Sequence, residues 1–356
     1  MKEELKPWIA LVGIIVIISA LFFVFGIPSR QGDKTLVDSL EKSIEIKNAE
    51  IVSASARLSE IEQQLNAINS EKHSLTISVQ NLKPISEHHF EVWGIMDLGD
   101  DETIQKLSIA TFNVNEKNEI INLAGYKHNS FFYKKDLSKI DSFEISIEQD
   151  NDFNPKQSEA IMLSGKLSGN NSTLSFTPLI GSNIFGSFIL ATPTNGFPPQ
   201  NPSSNEDSGL WFVKADDTSK PSLNLPVAKD GWKYEAWIFL VNIPINLGKF
   251  SDASKADDYN GLSERMNQGF PAPGEDLLIN ALNIGLDVDE LPVQLGRGDY
   301  LIKVSIEPEI DSKDTNEKEI SQFLLFDEPI PLNAKSYTNY ELEPVESLPS
   351  AQISLS

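Results

Sequence analysis

Apolar and polar positions change their period repeatedly along this chain, and each change marks an element. Trp8 to Ile27 is a run of 20 residues without a charge. At about 1.5 Å per residue it spans roughly 30 Å, the hydrocarbon thickness of a bilayer. Trp8 suits an interface and Pro28 ends the helix. A cleaved signal peptide has a shorter apolar core and small residues at its cut site, whereas this run closes Phe22-Phe23-Val24-Phe25-Gly26. The pattern predicts a transmembrane helix over 8–28 and a cytoplasmic tail over 1–7.

A heptad pattern follows. Val37, Leu40, Ile44, Lys47, Ile51, Ala54, Leu58, Ile61, Leu65 and Ile68 alternate at spacings of three and four, and nine of these ten are apolar. This predicts a coiled-coil stalk over 35–72, and its apolar seam calls for a partner helix, most simply in a homo-oligomer, with packing on the chain's own β domain as the alternative. From Ser74 to Gln80 the period drops to two, with β-branched residues, so the helix should end near 70–72 and lead into a first strand at 74–80.

Beyond the stalk the chain repeats itself. Phe90-Glu91-Val92-Trp93 returns as Tyr234-Glu235-Ala236-Trp237. Ile109-Ala110-Thr111-Phe112 is answered by Leu247-Gly248-Lys249-Phe250, and Phe143 to Glu148 by Ile302 to Glu307. A strand like 74–80 is expected again near 221–225. Ile161 and Ile320, each 13 residues beyond its Glu, are expected to open the closing strands. Short alternating segments separated by turn-rich stretches indicate antiparallel sheets. The fold class expected is mainly β: two tandem antiparallel β-sandwich domains, 74–169 and 172–332, on an N-terminal transmembrane helix and coiled-coil stalk. The acidic, Ser/Pro-rich residues 333–356 are expected to form an extended tail. Trp93 and Trp237 lie in apolar runs and are expected in the core, with Glu91 and Glu235 on the opposite face.

The copies differ in the middle. Phe250 to Ile302 is 52 residues, against 31 from Phe112 to Phe143. The extra length makes an insertion, 251–295, holding Tyr259 and Phe270.

Composition narrows the partners. A formal net charge of -23 argues against nucleic acid, which requires clustered Lys and Arg. The absence of cysteine removes disulfides, thiolate catalysis and Cys-ligated metals. His73, His88, His89 and His128 show no metal-ligand spacing. No phosphate loop, zinc-protease pattern or nucleophile elbow is present. Asp150, Asp152 and Asn154 resemble the start of a calcium loop, but Pro155 stands where the turn needs Gly and Ile161 where it needs Glu. Asp252, Asp257 and Asp258 form a second acidic loop. Asn170 and Asn171 begin overlapping glycosylation sequons.

The order of motifs resembles the extracytoplasmic C-terminal domain of anti-sigma-K factors, the RskA-like family. It runs from a strand ending Asn-Leu-x-Pro through aromatic-Glu-x-Trp and Ile-Ser-Ile-Glu to Ala-Ile-Met-Leu-Ser-Gly. The resemblance covers about 74–169 and, more loosely, 172–327. It implies an antiparallel β sandwich outside the membrane, reached by one transmembrane helix. Members that regulate sigma factors carry a helical sigma-binding domain on the cytoplasmic side, and the seven residues Met1 to Pro7 are too short for one.

These readings predict a single-pass protein of the cell membrane, anchored through residues 8–27, with its bulk outside the cytoplasm. The expected function is interaction with an extracytoplasmic protein or envelope partner, or sensing, without catalysis and without a cofactor. The alternative is ligand binding, of a glycan or Ca²⁺, through the 251–295 insertion.

Overall fold

A computed structural model describes residues 34–70, 73–97, 104–133, 137–150, 156–195, 205–240, 243–259, 261–263, 271–278, 292–309 and 320–356. The chain divides into two compact units, 1–72 and 73–356. The expected transmembrane segment lies outside the described residues. No described helix is long and apolar enough to cross a membrane.

The described part of the first unit is one α-helix, α1 (Lys34–Ser70). It holds neither Gly nor Pro, and helix formers such as Ala, Leu, Glu and Lys recur through it. The described helix reaches Ser70, and residues 71–72 lie outside the described residues.

The second unit is built of antiparallel strands. In chain order these are β1 (His73–Gln80), β2 (His88–Asp97), β3 (Ile104–Val114), β4 (Ile120–Ile121), β5 (Ser130–Tyr133), β6 (Ser142–Gln149), β7 (Ile161–Ser168) and β8 (Asn171–Phe176). There follow β9 (Gly186–Leu190), β10 (Gly209–Trp211), β11 (Trp232–Leu240), β12 (Ile243–Phe250), β13 (Gly274–Asp276), β14 (Tyr300–Pro308), β15 (Leu324–Pro329), β16 (Tyr340–Leu342) and β17 (Ser350–Leu355). They form three sheets, ordered β4-β3-β2-β6-β7-β8-β17-β1-β5, β13-β10-β9-β16 and β12-β11-β14-β15. In β1 the period of two is realised directly: Leu75 and Ile77 are fully buried while Thr76 and Ser78 face solvent.

The duplication is structural. The run β3-β2-β6-β7 recurs as β12-β11-β14-β15. Phe90 pairs with Phe112 and Ile147, and Tyr234 with Phe250 and Ile306. A β-bulge falls between Val92 and Trp93, and again between Ala236 and Trp237. A second falls between Ile145 and Ser146, and again between Val304 and Ser305. Even the core aromatics repeat, with ring centroids 5.4 Å apart for both Phe90–Phe112 and Tyr234–Phe250.

Several expectations are corrected. Residues 333–356 are not an extended tail, because they contribute β16 and β17. The second of these alternates Ala351 and Ile353 inward, and its backbone pairs with β1 on one side and β8 on the other. The chain also does not separate at 169–172 and 332. β8 belongs to the first sheet, and residues 73–356 share one core. Phe176 meets Trp232 edge-to-face at 5.8 Å and Phe323 in a tilted contact at 5.5 Å, which joins the two copies through aromatic contact. The closing strand of the second copy begins at Leu324, not Ile320. Ser146 pairs with Ile161 and Ser305 with Leu324, so the second copy carries four more residues before this strand. Near 221–225 there are only isolated bridges, from Pro221 to Val213 and from Asn224 to Phe185.

Candidate functional site

Four places in the β unit gather polar chemistry, beginning with the face of the repeated sheet opposite Phe90 and Tyr234. Period-two alternation puts residues 91 and 93 on one face, and likewise 235 and 237. Trp93 donates its indole N–H to Ser146 Oγ at 2.9 Å. Ser146 donates to Glu148, and Ser108 donates to Glu91. Glu91 therefore shares its face with Trp93, contrary to the expectation from sequence. Both tryptophans are buried, at 4% and 0% exposure; Glu91 is half-buried beside Trp93, whereas Glu235 is buried beside Trp237. Burial raises the Glu91 carboxyl above its ordinary range.

The second copy tightens this arrangement. Glu235 is 1% exposed and Glu307 is 8% exposed. Burial, reinforced by a hydrogen bond to Glu307, pushes the Glu235 carboxyl well above the carboxylate range, so it holds its proton at neutral pH. Asn246 donates to Glu235. Lys249, where the first copy has Thr111, lies 3.2 Å from Glu307. Glu235, Asn246, Lys249 and Glu307 engage one another, while Trp237 Nε1 on the same face has no partner among the described residues.

Residues of the 251–295 insertion form the second place. β13 pairs with β10, and Leu262, Glu275, Asp276 and Leu277 are all fully buried. Asp257 accepts from Gly274 N at 2.8 Å and Tyr259 N at 3.0 Å. It packs against Gly248, whose φ of 111° and close approach leave no room for a side chain. Burial raises the Asp257 carboxyl to about 7. Asp276 accepts from Trp211 Nε1 at 2.7 Å, Thr194 N at 2.9 Å and the Thr194 hydroxyl, and burial raises it to about 6. Ser263 donates to Glu275 and accepts from Asp276 N. Leu262, Ser263 and Gly274 to Leu277 of the insertion are thus core and internal brace, while Ser251, Ser254, Lys255 and Asp258 are exposed. Tyr259 is half-buried, and Phe270 lies outside the described residues.

The candidate acidic loops do not converge. Asp252 caps Ser254 and pairs with Lys255 at 3.1 Å. Asp257 turns inward, while Asp258 accepts from Lys249 N at 2.7 Å. Of the calcium-loop residues, Asp150 contacts His89 Nδ1 at 3.0 Å, and Asp152 and Asn154 lie outside the described residues. Among the described residues no group of three acidic or histidine side chains could hold a metal ion. His88 bonds Ser86 O and His128 packs edge-on to Phe131, so these histidines do not meet.

His89 and Asp150 border the third place, an open recess of about 340 Å³ closed by Asn113, Asn122 and Leu123. Most of its polar atoms are already engaged. Asn113 donates to Ile85 O and His88 O, and Asn122 Oδ1 accepts from Ala124 N and Tyr126 N. The His89–Asp150 pair has a counterpart in Lys233–Glu309 at 2.9 Å: His89 and Lys233 stand opposite Glu148 and Glu307 in their ladders, and Asp150 and Glu309 lie two residues beyond those glutamates. A pair repeated in both copies at one strand end reads as a brace.

The sequons make the fourth place. Asn170 and Asn171 are exposed at the β7–β8 turn, where Asn171 accepts from Ser354 Oγ at 2.7 Å.

Sequence reasoning singled out the Trp and the Ile-Glu positions but missed what links them. The available signal was Ser-x-Glu, Ser146-Ile147-Glu148 and Ser305-Ile306-Glu307, whose period of two puts hydroxyl and carboxylate on one face. Thr194, Trp211 and Asp276 meet from distant segments, and nothing local announces that.

No family model, curated protein or solved structure matches this chain.

Proposed function

We propose that this chain is a membrane-anchored, noncatalytic interaction protein whose β unit lies outside the cytoplasm. The observation that carries the reading is the uncharged run Trp8–Ile27, followed by a 37-residue helix that ends three residues before β1. An anchor, a helical connector and a braced β unit are the parts of a surface module. Each copy reads as a sandwich-type half of that unit. The resemblance of its motifs to the RskA-like extracytoplasmic domain supports the same placement.

The buried carboxyls support the noncatalytic part. Glu235, Asp257 and Asp276 each have raised affinity for a proton, a common mark of acid–base catalysts. Each is also enclosed by hydrogen bonds from its own chain. Their perturbation follows from structural burial, and interaction is left to the exposed surface.

Alkaline extraction of membranes tests the anchor. The full chain should stay with the membrane pellet, and a chain lacking residues 8–27 should be released. Release of the full chain would overturn the reading.

A further inference from the structure

We propose that α1 pairs with the α1 of a second copy of this chain as a parallel, in-register two-stranded coiled coil. The parallel orientation rests on the membrane-anchor reading, since two copies entering one membrane from the same side run in the same direction. The pairing itself rests on the helix.

The seam residues of α1 stand exposed. Ile44 is 37% exposed, Ile51 52%, Leu58 57% and Ile61 61%. Their spacing of seven, seven and three residues places them on one stripe. A helix of mixed polar composition gains most of its stability from packing such a stripe, not from intrinsic propensity. Ile46 and Val52 are also exposed but fall off the stripe, as scattered surface apolar residues commonly do.

Charge permits a second copy as the occupant along this stripe. The whole chain carries -23, so two copies repel over most of their surface. Residues 42–61 are an exception: Lys42, Lys47 and Arg57 balance Glu45, Glu50 and Glu60. This neutral segment holds the exposed apolar stripe.

Lys47 sets the register. It is the one polar member of the ten seam positions, and its ammonium already pairs with Glu50 at 2.9 Å. In register, Lys47 faces its own copy, with Glu50 beside each ammonium. A shift of one heptad would set it against Leu40 or Ala54 and bury a charge on apolar surface. A polar residue at a seam position specifies alignment in this way, at some cost in stability.

The chain has no cysteine, so a single engineered thiol reports one contact. Ile44→Cys, Ile61→Cys and Ala49→Cys, each in the full chain in membranes, are exposed to a mild oxidant. Residues 44 and 61 lie eight and nine residues either side of the helix middle, so an antiparallel pair aligned on that middle would bring them close. The proposal expects a covalent dimer from Ile44→Cys alone and from Ile61→Cys alone, at least tenfold above Ala49→Cys on the opposite face. Cross-linking only when the Ile44→Cys and Ile61→Cys chains are mixed would overturn the orientation. Equal cross-linking at Ala49, or none at any position, would overturn the coil. Alkaline extraction of the same membranes separates the two claims. Retention without cross-links leaves the anchor standing, and cross-linked dimers released from membranes leave the coil standing.

Discussion

Glu148 accepts the backbone N–H of Ser158 at 3.0 Å, and Glu307 accepts that of Ser321 at 3.3 Å. In both copies the serine hydroxyl returns to the strand, bonding Ile147 O at 2.7 Å or Ile306 O at 2.9 Å. The shared Ser-Ile-Glu signature is therefore a clasp. Its glutamate fastens the segment that leads into the next strand, whatever the length of the loop between them. The two copies place these serines 10 and 14 residues beyond their glutamates, yet the clasp is the same.

Removing the clasp should destabilise the fold. Glu148→Ala strands Ser158 N and the hydroxyl of Ser146 in a buried setting, and each unsatisfied group costs about 1–3 kcal/mol. Ser158→Ala removes one hydrogen bond and should cost about 1 kcal/mol. Urea titrations of the β unit check the order. Equal effects from the two substitutions would contradict the clasp.

The Glu235–Glu307 pair predicts a pH dependence. Glu235 has its folded affinity for a proton raised by burial and by Glu307. A raised carboxyl favours the protonated folded state, so the protein is least penalised below the ordinary glutamate value of 4.5. The penalty grows as pH rises from there toward the folded value. Asp257, raised to about 7, and Asp276, raised to about 6, act in the same direction from 3.8 upward. Glu235→Gln keeps the shape and donor of the protonated acid. It should be neutral near pH 5 and raise stability by about 1–2 kcal/mol near pH 8, read as midpoint shifts at the two pH values. A uniform loss at both would contradict the protonated pair.

Trp93 and Trp237 occupy equivalent places with unequal bonding. Trp93 Nε1 donates to Ser146, whereas Trp237 Nε1 is buried without a partner among the described residues. Trp93→Phe should cost about 1 kcal/mol more than Trp237→Phe, because only the first loses a hydrogen bond. Thermal unfolding of the two variants gives the comparison.

β17 should be indispensable. Its removal opens β1 and β8 along their whole paired edges, and exposed edges recruit other chains. A chain ending at residue 349 should aggregate. Ile353→Ala, at a fully buried site, should cost about 2–4 kcal/mol. Unchanged proteolytic resistance after truncation would contradict the inserted strand.

Local periodicity made much of this fold legible. The switch from heptads to alternation between residues 68 and 75 marks where α1 ends and β1 begins. The matched segments at 109–112 and 247–250 occupy matched ladder positions. Period is masked where composition points the other way. Residues 333–349 are acidic and proline-bearing, and they masked the alternation of Ser350-Ala351-Gln352-Ile353. Glu91 was expected away from Trp93, although two residues along a strand restore the same face. The aspartate cluster was illegible because Thr194, Trp211 and Asp276 join only through sheet pairing across 82 residues.

The central claim is that the anchor holds the β unit outside the cytoplasm. Tyr126 is 72% exposed on the β unit, and the chain has no competing thiol. Tyr126→Cys in intact cells should react with a membrane-impermeant maleimide, while Lys2→Cys should react only after the membrane is opened. Labelling at Lys2→Cys with protection at Tyr126→Cys would contradict the account.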